Sequence, residues 1–320
     1  MSIVITGSLA YDYLMSFPGR FKDHILPEKI EHVSLSFLVD SMRKQRGGCA
    51  SNIAYNLALL GERPCILATA GQDFGEYREW LESQGVDTSG IVEIPGEFTA
   101  SFFVSTDLDN NQIASFYTGA MAHAHQLSFR DLNPREITIA VISPNDPRAM
   151  VKYAQECQEL GIPYVYDPSQ QIVRLEGKDL VEGAQGAEVL VLNDYEFGMM
   201  CRKTGLSERD LLRLAKVTII TEGEKGSTIV PRGEEPIAIP AVPPRRLVDP
   251  TGVGDAYRAG MLKGMLREVP WPITGRMASL AATYVLEEPG TQNHAYTLEE
   301  FVRRYQEVFG ETAEVAALLR

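Results

Sequence analysis

A doubly wound α/β fold, with a mainly parallel sheet covered by helices on both faces, is predicted for this 320-residue chain by three observations. Short apolar runs rich in Val and Ile alternate with longer segments of helical period, as buried parallel strands and their crossover helices do. The last third of the chain turns helical. No internal repeat, low-complexity tract or long charge block interrupts this rhythm.

The elements follow in order. Residues 2–7 read as a strand running into the turn at Gly7. Residues 50–60, rich in Ala and Leu, open behind Gly47-Gly48 and stop at Gly61, which suits a helix C-cap. An apolar run at 65–70 predicts the next strand and 76–84 the next helix. Further strands are predicted at 138–142, 164–166, 189–192, 217–221 and 228–230, each short and largely apolar. Helices are predicted at 148–160, 195–203 and 208–214, then at 254–267, 272–287 and 298–309.

Two stretches depart from the pattern. Residues 11–45 carry aromatics, prolines and charges without helical period. Residues 97–118 read as strand, turn, strand around Asp109-Asn110-Asn111, which is hairpin chemistry. Together they predict a small second sheet inserted twice into the main domain, with two ordinary long connections as the alternative. The main domain then comprises 1–10, 46–96 and 119–320.

With 30 Lys+Arg against 43 Asp+Glu, the net charge is −13, which argues against a nucleic-acid or anionic-membrane surface. Four scattered cysteines without a C-x-x-C pair fit a reducing cytoplasm. No basic n-region precedes an apolar stretch, and no run reaches ~18 apolar residues. The expectation is a soluble cytoplasmic protein.

Two segments carry chemistry. Leu247-Val248-Asp249-Pro250-Thr251-Gly252-Val253-Gly254-Asp255-Ala256-Tyr257 places two glycines just before a helix, where the backbone approaches an anion and the helix dipole favours negative charge. A carboxylate at Asp255 would repel a merely bound phosphate. It makes sense as a base that takes a proton from a hydroxyl attacking a phosphoryl group. A simple helix cap is the other reading. In the second segment, Arg46-Gly47-Gly48-Cys49-Ala50-Ser51-Asn52, the amide of Asn52 falls one turn into a helix, either facing a ligand's hydroxyls or merely solvated.

In this order and separation the segments resemble the ribokinase-like (PfkB-type) family of carbohydrate and nucleoside kinases, and the resemblance spans most of the chain. Gly47-Gly48-x-x-x-Asn52 is similar to the family's substrate segment, and Gly71-Gln72-Asp73-Phe74-Gly75 to its Gly-x-Asp-x-x-Gly turn. Asn193-Asp194-Tyr195-Glu196 resembles its Asn-x-x-Glu motif, and Thr221-Glu222-Gly223-Glu224-Lys225-Gly226 its nucleotide-side loop. Asp249 to Asp255 resembles the Asp-Thr-x-Gly-x-Gly-Asp signature, with Pro250 before Thr251 as a variant.

The resemblance implies an αβα domain with a β-sheet lid and transfer of the ATP γ-phosphoryl to a primary hydroxyl. Asp255 would be the base, with backbone N–H groups at Gly252, Val253 and Gly254 stabilising the transferred charge. Asn193, Thr221, Gly223, Gly226 and Gly254 would border ATP. Glu196 would hold Mg²⁺ through water, and Asp249 and Thr251 would lie beside a monovalent cation such as K⁺.

The acceptor side offers Gly47, Gly48, Asn52 and Asp12, the last just past strand one and able to accept from two ribose hydroxyls. Lid aromatics, Phe103 among them, could stack on a base or simply fill the lid's own core. The runs around Phe103, Gln170 and Gly290-Thr291-Gln292-Asn293-His294 resemble the nucleoside branch, which implies adenosine phosphorylated at its 5′-hydroxyl. A sugar kinase acting on ribose or fructose is the alternative, and a non-catalytic nucleoside-binding regulator of the same fold is a second. A homodimer through the lid would cover its open edges and apolar face.

Other motifs fall away. Asp73-Phe74-Gly75 lacks the companions of a protein kinase, and neither a P-loop nor a dinucleotide fingerprint is present. His24, His32, His123, His125 and His294 show no metal spacing, although His123 and His125 would point one way in a strand.

Overall fold

A computed structural model describes residues 2–25 and 34–319; His32 and part of the first irregular stretch lie outside them. The main sheet has nine strands. In chain order its elements are β1 (Ser2–Thr6), then, after two lid strands β2 (Ala10–Ser16) and β3 (Ser41–Gly47), α1 (Cys49–Leu59), β4 (Cys65–Ala70), α2 (Gly75–Ser83) and β5 (Ile91–Glu93). The lid strands β6 (Ala100–Thr106) and β7 (Gln112–Tyr117) intervene before β8 (Ile137–Ile142), α3 (Pro147–Leu160), β9 (Tyr164–Tyr166), α4 (Gly177–Ala184), β10 (Val189–Asn193), α5 (Asp194–Thr204) and α6 (Glu208–Leu211). The chain continues through β11 (Val217–Thr221), β12 (Ser227–Pro231), β13 (Ile237–Ile239), α7 (Val253–Leu266), α8 (Trp271–Leu286), α9 (Leu298–Phe309) and α10 (Ala313–Ala316).

The sheet order is β13-β12-β11-β10-β9-β8-β1-β4-β5, parallel throughout except where β12 pairs antiparallel with both neighbours. Alternation along each strand divides the core between two layers. Ile3, Ile5, Val141, Val189 and Val191 pack on the side of α1 and α7, burying Ile53, Leu57 and Leu262 with them. Val4, Ala140, Ile142, Leu190 and Leu192 pack on the opposite side with Tyr153 of α3 and Met200 of α5. That two-sided burial is why these strands are apolar without interruption.

The second sheet has the order β3-β2-β6-β7, so its strands come from both irregular stretches. Asp107 closes the hairpin, accepting from the N–H groups of Asp109 and Asn111, while Asn110 takes φ 61°. Its roots are pinned to the main domain. Asp73 Oδ1 accepts from Thr99 N at 2.8 Å and Thr99 Oγ1 at 2.7 Å, immediately before β6. Carbon added to Gly71 would lie 2.1 Å from the Phe98 carbonyl carbon, so this turn must be glycine for the lid to reach it.

The structure also differs from the sequence reading. The helix read at 208–214 closes at Leu211, and β5, β13 and α4 are additional short elements. His123 and His125 lie in the 3-10 turn Gly119–Gln126 rather than in a strand. No cluster of three metal-ligating side chains occurs among the described residues. No helix among them is long and apolar enough to cross a membrane.

Candidate active site

A cleft of about 800 Å³ lies beyond the carboxyl ends of the parallel strands and under the lid. Its floor is the start of α7. Gly252, at φ 81°, is the N-cap and has no side chain with which to close the helix end. The expected Val253 N–H donor is taken, since it donates to the Pro250 carbonyl at 3.4 Å, whereas the N–H groups of Gly254 and Asp255 have no acceptor among the described residues and form a site for an anion. Gly252, Gly254 and Asp255 line the cleft, while Val253 turns its side chain into the core and can contribute only backbone.

Asp255 is tied to the acceptor side. Asn52 of α1 donates Nδ2 to Asp255 Oδ2 at 2.8 Å. The orientation of this amide is enforced from behind, since Gln292 Nε2 donates to Asn52 Oδ1 at 2.7 Å and to the Tyr77 hydroxyl at 2.7 Å. Tyr77 in turn donates to the Gly47 carbonyl at 3.1 Å. An acceptor-only carbonyl at one end and a carboxylate at the other make every donor direction in this chain consistent. Burial pushes the Asp255 carboxyl above the usual carboxylate range, opposed by the Arg258 charge and the Asn52 hydrogen bond.

Asp12 projects from β2 into the same cleft, paired in register with Gln45 and Phe102. It makes no side-chain hydrogen bond among the described residues, and burial, with the Asp249 charge second, pushes it up to about 6. A Cβ on Gly47 would lie 2.5 Å from Asp12 Oδ2, so a larger residue there would displace this carboxylate. Gly48, at φ 100°, lets the chain pass over Ser8 and Leu9 into α1. The Cys49 thiol lines the cleft, but burial, followed by the Asp255 and Asp167 charges, raises it well above its ordinary value, so it is no nucleophile.

At the other end, Asn193 and Glu196 form a reciprocal cap on α5. Asn193 Oδ1 accepts from Glu196 N at 2.7 Å, and Glu196 Oε2 accepts from Asn193 N at 2.8 Å. Ser169 donates to Glu196 Oε1 at 2.9 Å. Each carboxylate oxygen thus holds one donor and keeps a lone pair toward the cleft. That donor set fits a Mg²⁺ ion carried on nucleotide phosphates and reached through its waters, not a cage of protein ligands. Thr221 and Gly223 line this end.

Other predicted site residues lie elsewhere. Phe103 does not face the cleft; strand alternation puts it on the outer face of the lid, stacked on Tyr13 at 4.7 Å, and Phe102 and Phe116 face inward. Gly226 lies behind the cleft, where a Cβ would lie 2.0 Å from the Ile239 carbonyl, so it serves the turn into β12. Asp249 also stands back from the lining, clipping two loops by accepting from Thr251 N and Gly290 N at 2.9 Å each. Burial works to raise its pKa, but those hydrogen bonds hold it below the ordinary value. Gln170 and Thr251 line the cleft.

For three residues sequence reasoning assigned no role. Arg258 and Asp167 form a buried ion pair at the cleft wall, linking α7 to the end of β9. Asp167 and Asp255 outweigh the effect of burial and keep Arg258 charged. Gln292 is the third. An Arg among apolar residues one turn beyond Asp255 was the available signal for the pair; the run holding Gln292 gave no sign of its hydrogen bonds, since its partners come from distant elements.

The chain is similar to known proteins along most of its length. A family model described as pfkB family carbohydrate kinase matches residues 10–298. A nucleoside kinase of Methanothermobacter thermautotrophicus is 30% identical over 311 residues, covering 96% of each chain. The structure of Burkholderia thailandensis nucleoside kinase in complex with inosine superposes with a TM-score of 0.86 at 37% identity, covering 97% of this chain and 99% of that one. Arabidopsis thaliana ribokinase complexed with ribose and ATP shares the fold, with a TM-score of 0.80 at 20% identity over 95% of this chain and 98% of the other.

Proposed function

The chain belongs to the pfkB family of carbohydrate kinases and is a phosphotransferase; from that premise we propose that it transfers the γ-phosphoryl of ATP to the 5′-hydroxyl of a purine nucleoside, adenosine first. The observation that carries this reading is one continuous cleft. It joins Asp12, Asn52 and the inward aromatics Phe102 and Phe116 to Asn193, Glu196 and Thr221, with Asp255 and the bare start of α7 between them. The related nucleoside kinases, one solved with inosine, support a nucleoside rather than a free sugar.

Asp12 accepts from the vicinal ribose hydroxyls, and Phe102 and Phe116 give the base an apolar face that a free sugar would not need. Asp255 takes the proton of the 5′-hydroxyl as the new O–P bond forms and the bond from the γ-phosphorus to the bridging oxygen breaks, releasing ADP. Its raised proton affinity suits a base that must accept in the transition state. The N–H groups of Gly254 and Asp255 receive the charge on the transferred group. Mg²⁺, when bound with ATP, neutralises phosphate charge, and Glu196 would hold it through water.

The test is an acceptor panel with ATP and Mg²⁺: adenosine, inosine, cytidine, ribose and fructose. Nucleosides should exceed sugars in kcat/KM, with adenosine leading. Ribose outperforming adenosine would overturn the assignment.

A further inference from the structure

We propose that Arg258 is a catalytic residue, presenting its Nη1 to the transferred phosphoryl group at the start of α7 while Asp167 anchors the rest of its guanidinium. The inference rests on the kinase reading and adds to it a side-chain donor where the sequence shows only backbone. Helical side chains lean toward the N-terminus, so Arg258 folds back over the first turn of its own helix. There its Nη1 would lie 2.6 Å from a Cβ placed on Gly254. The guanidinium thus occupies the space that a side chain at position 254 would take.

The fork geometry fixes what each nitrogen does. Nε and Nη2 face the two oxygens of Asp167, which is 1% exposed. Nη1 makes no hydrogen bond among the described residues, and Arg258 lines the cleft. A cation folded toward the positive end of a helix is unfavourable without anions beside it. Asp167 supplies one, Asp255 and Glu196 add their charges, and the remaining nitrogen lies beside Gly254 at the cleft wall. Besides Arg258, only Arg174 brings a Lys or Arg side chain to the cleft lining among the described residues, and it is exposed.

Removing one preorganised donor to a developing charge typically lowers kcat by roughly 10²–10³-fold. The double variant Arg258→Met with Asp167→Asn avoids leaving a buried carboxylate unpaired, and it should lose kcat on this scale with the KM for nucleoside within about threefold of wild type. Arg258→Lys keeps the charge but not the fork, and should lose roughly tenfold. Added guanidinium should partly restore turnover to Arg258→Ala, which a purely structural role would not allow. A double variant that keeps wild-type kcat, or a loss confined to nucleoside KM, overturns the proposal; if the double variant does not fold, Arg258→Lys with unchanged kcat does so. A wild-type protein that phosphorylates no acceptor in the panel instead refutes the kinase reading itself.

Discussion

Two helices begin at the cleft, each with a carboxylate at its third position, and they use it in opposite ways. At α5, Asn193 and Glu196 close the helix end on itself, each side chain bonded to the other's backbone N–H. At α7 the cap is Gly252, which has nothing to offer, and Asp255 receives its hydrogen bond from Asn52 on another helix. The first arrangement satisfies the backbone. The second leaves first-turn N–H groups open and aims a carboxylate across them. The absence of a capping side chain is therefore what separates a site of chemistry from a well-made helix start.

The largest effect should follow from removing the α7 carboxylate. Asp255→Asn is expected to lower kcat by roughly 10²–10⁴-fold, the range for a positioned base. Nucleoside affinity, measured by calorimetry, should stay within a few-fold of wild type. Turnover at the wild-type rate would reduce Asp255 to a cap like Glu196.

Asp12 extends the contrast, being a cleft carboxylate with no hydrogen-bond donor among the described residues. Its folded pKa of about 6 lies above its ordinary 3.8. Such a group favours the folded state fully below pH 4, and that contribution is lost as pH rises through 6. About two pKa units correspond to about 3 kcal/mol as an upper figure. Asp12→Asn should therefore stabilise the protein against urea at pH 8 and change little at pH 4, while weakening nucleoside binding. An equal change at both pH values would show that the Asp12 charge carries no burial penalty.

Gln292 tests whether Asp255 is oriented from a distance. Gln292→Leu frees the Asn52 amide to turn its oxygen toward Asp255, so kcat should fall about tenfold and the acid limb of the pH profile should move upward. The groups around Asp255 that set this limb are Asn52, Arg258 and, through Arg258, Asp167 and Glu196. A lower melting temperature with an unmoved acid limb would make Gln292 a packing residue only.

The sheet, the helices and the glycine-rich turns were readable because each depends on residues adjacent in the chain. Apolar runs specify two-sided burial, and Gly252 and Gly254 announce a backbone that approaches something closely. Phe103 shows where this stops. Strand alternation means a one-residue uncertainty in register swaps faces, and only the pairing with Tyr13 and Phe102's pairing with Phe116 decide which aromatic faces the cleft. Gly226 and Asp249 sit within motifs yet hold turns behind the cleft, because a motif records spacing and not which way a side chain faces. Gln292 lies 240 residues from Asn52, and no local pattern encodes that contact.

The smallest effect lies at α5, where capping and ligand binding can be separated by two substitutions at one position. Asn193→Ala removes the acceptor for Glu196 N and should cost about 1 kcal/mol, seen as a lower urea midpoint at unchanged slope. Asn193→Asp retains an oxygen at the same place and should keep that stability. Its new negative charge faces the proposed phosphate end of the cleft, so the KM for ATP should rise several-fold while nucleoside KM stays unchanged. If Asn193→Ala keeps wild-type stability and neither variant changes the ATP dependence, Asn193 serves neither as cap nor as nucleotide contact, and the opposition between the two helix starts fails on the α5 side.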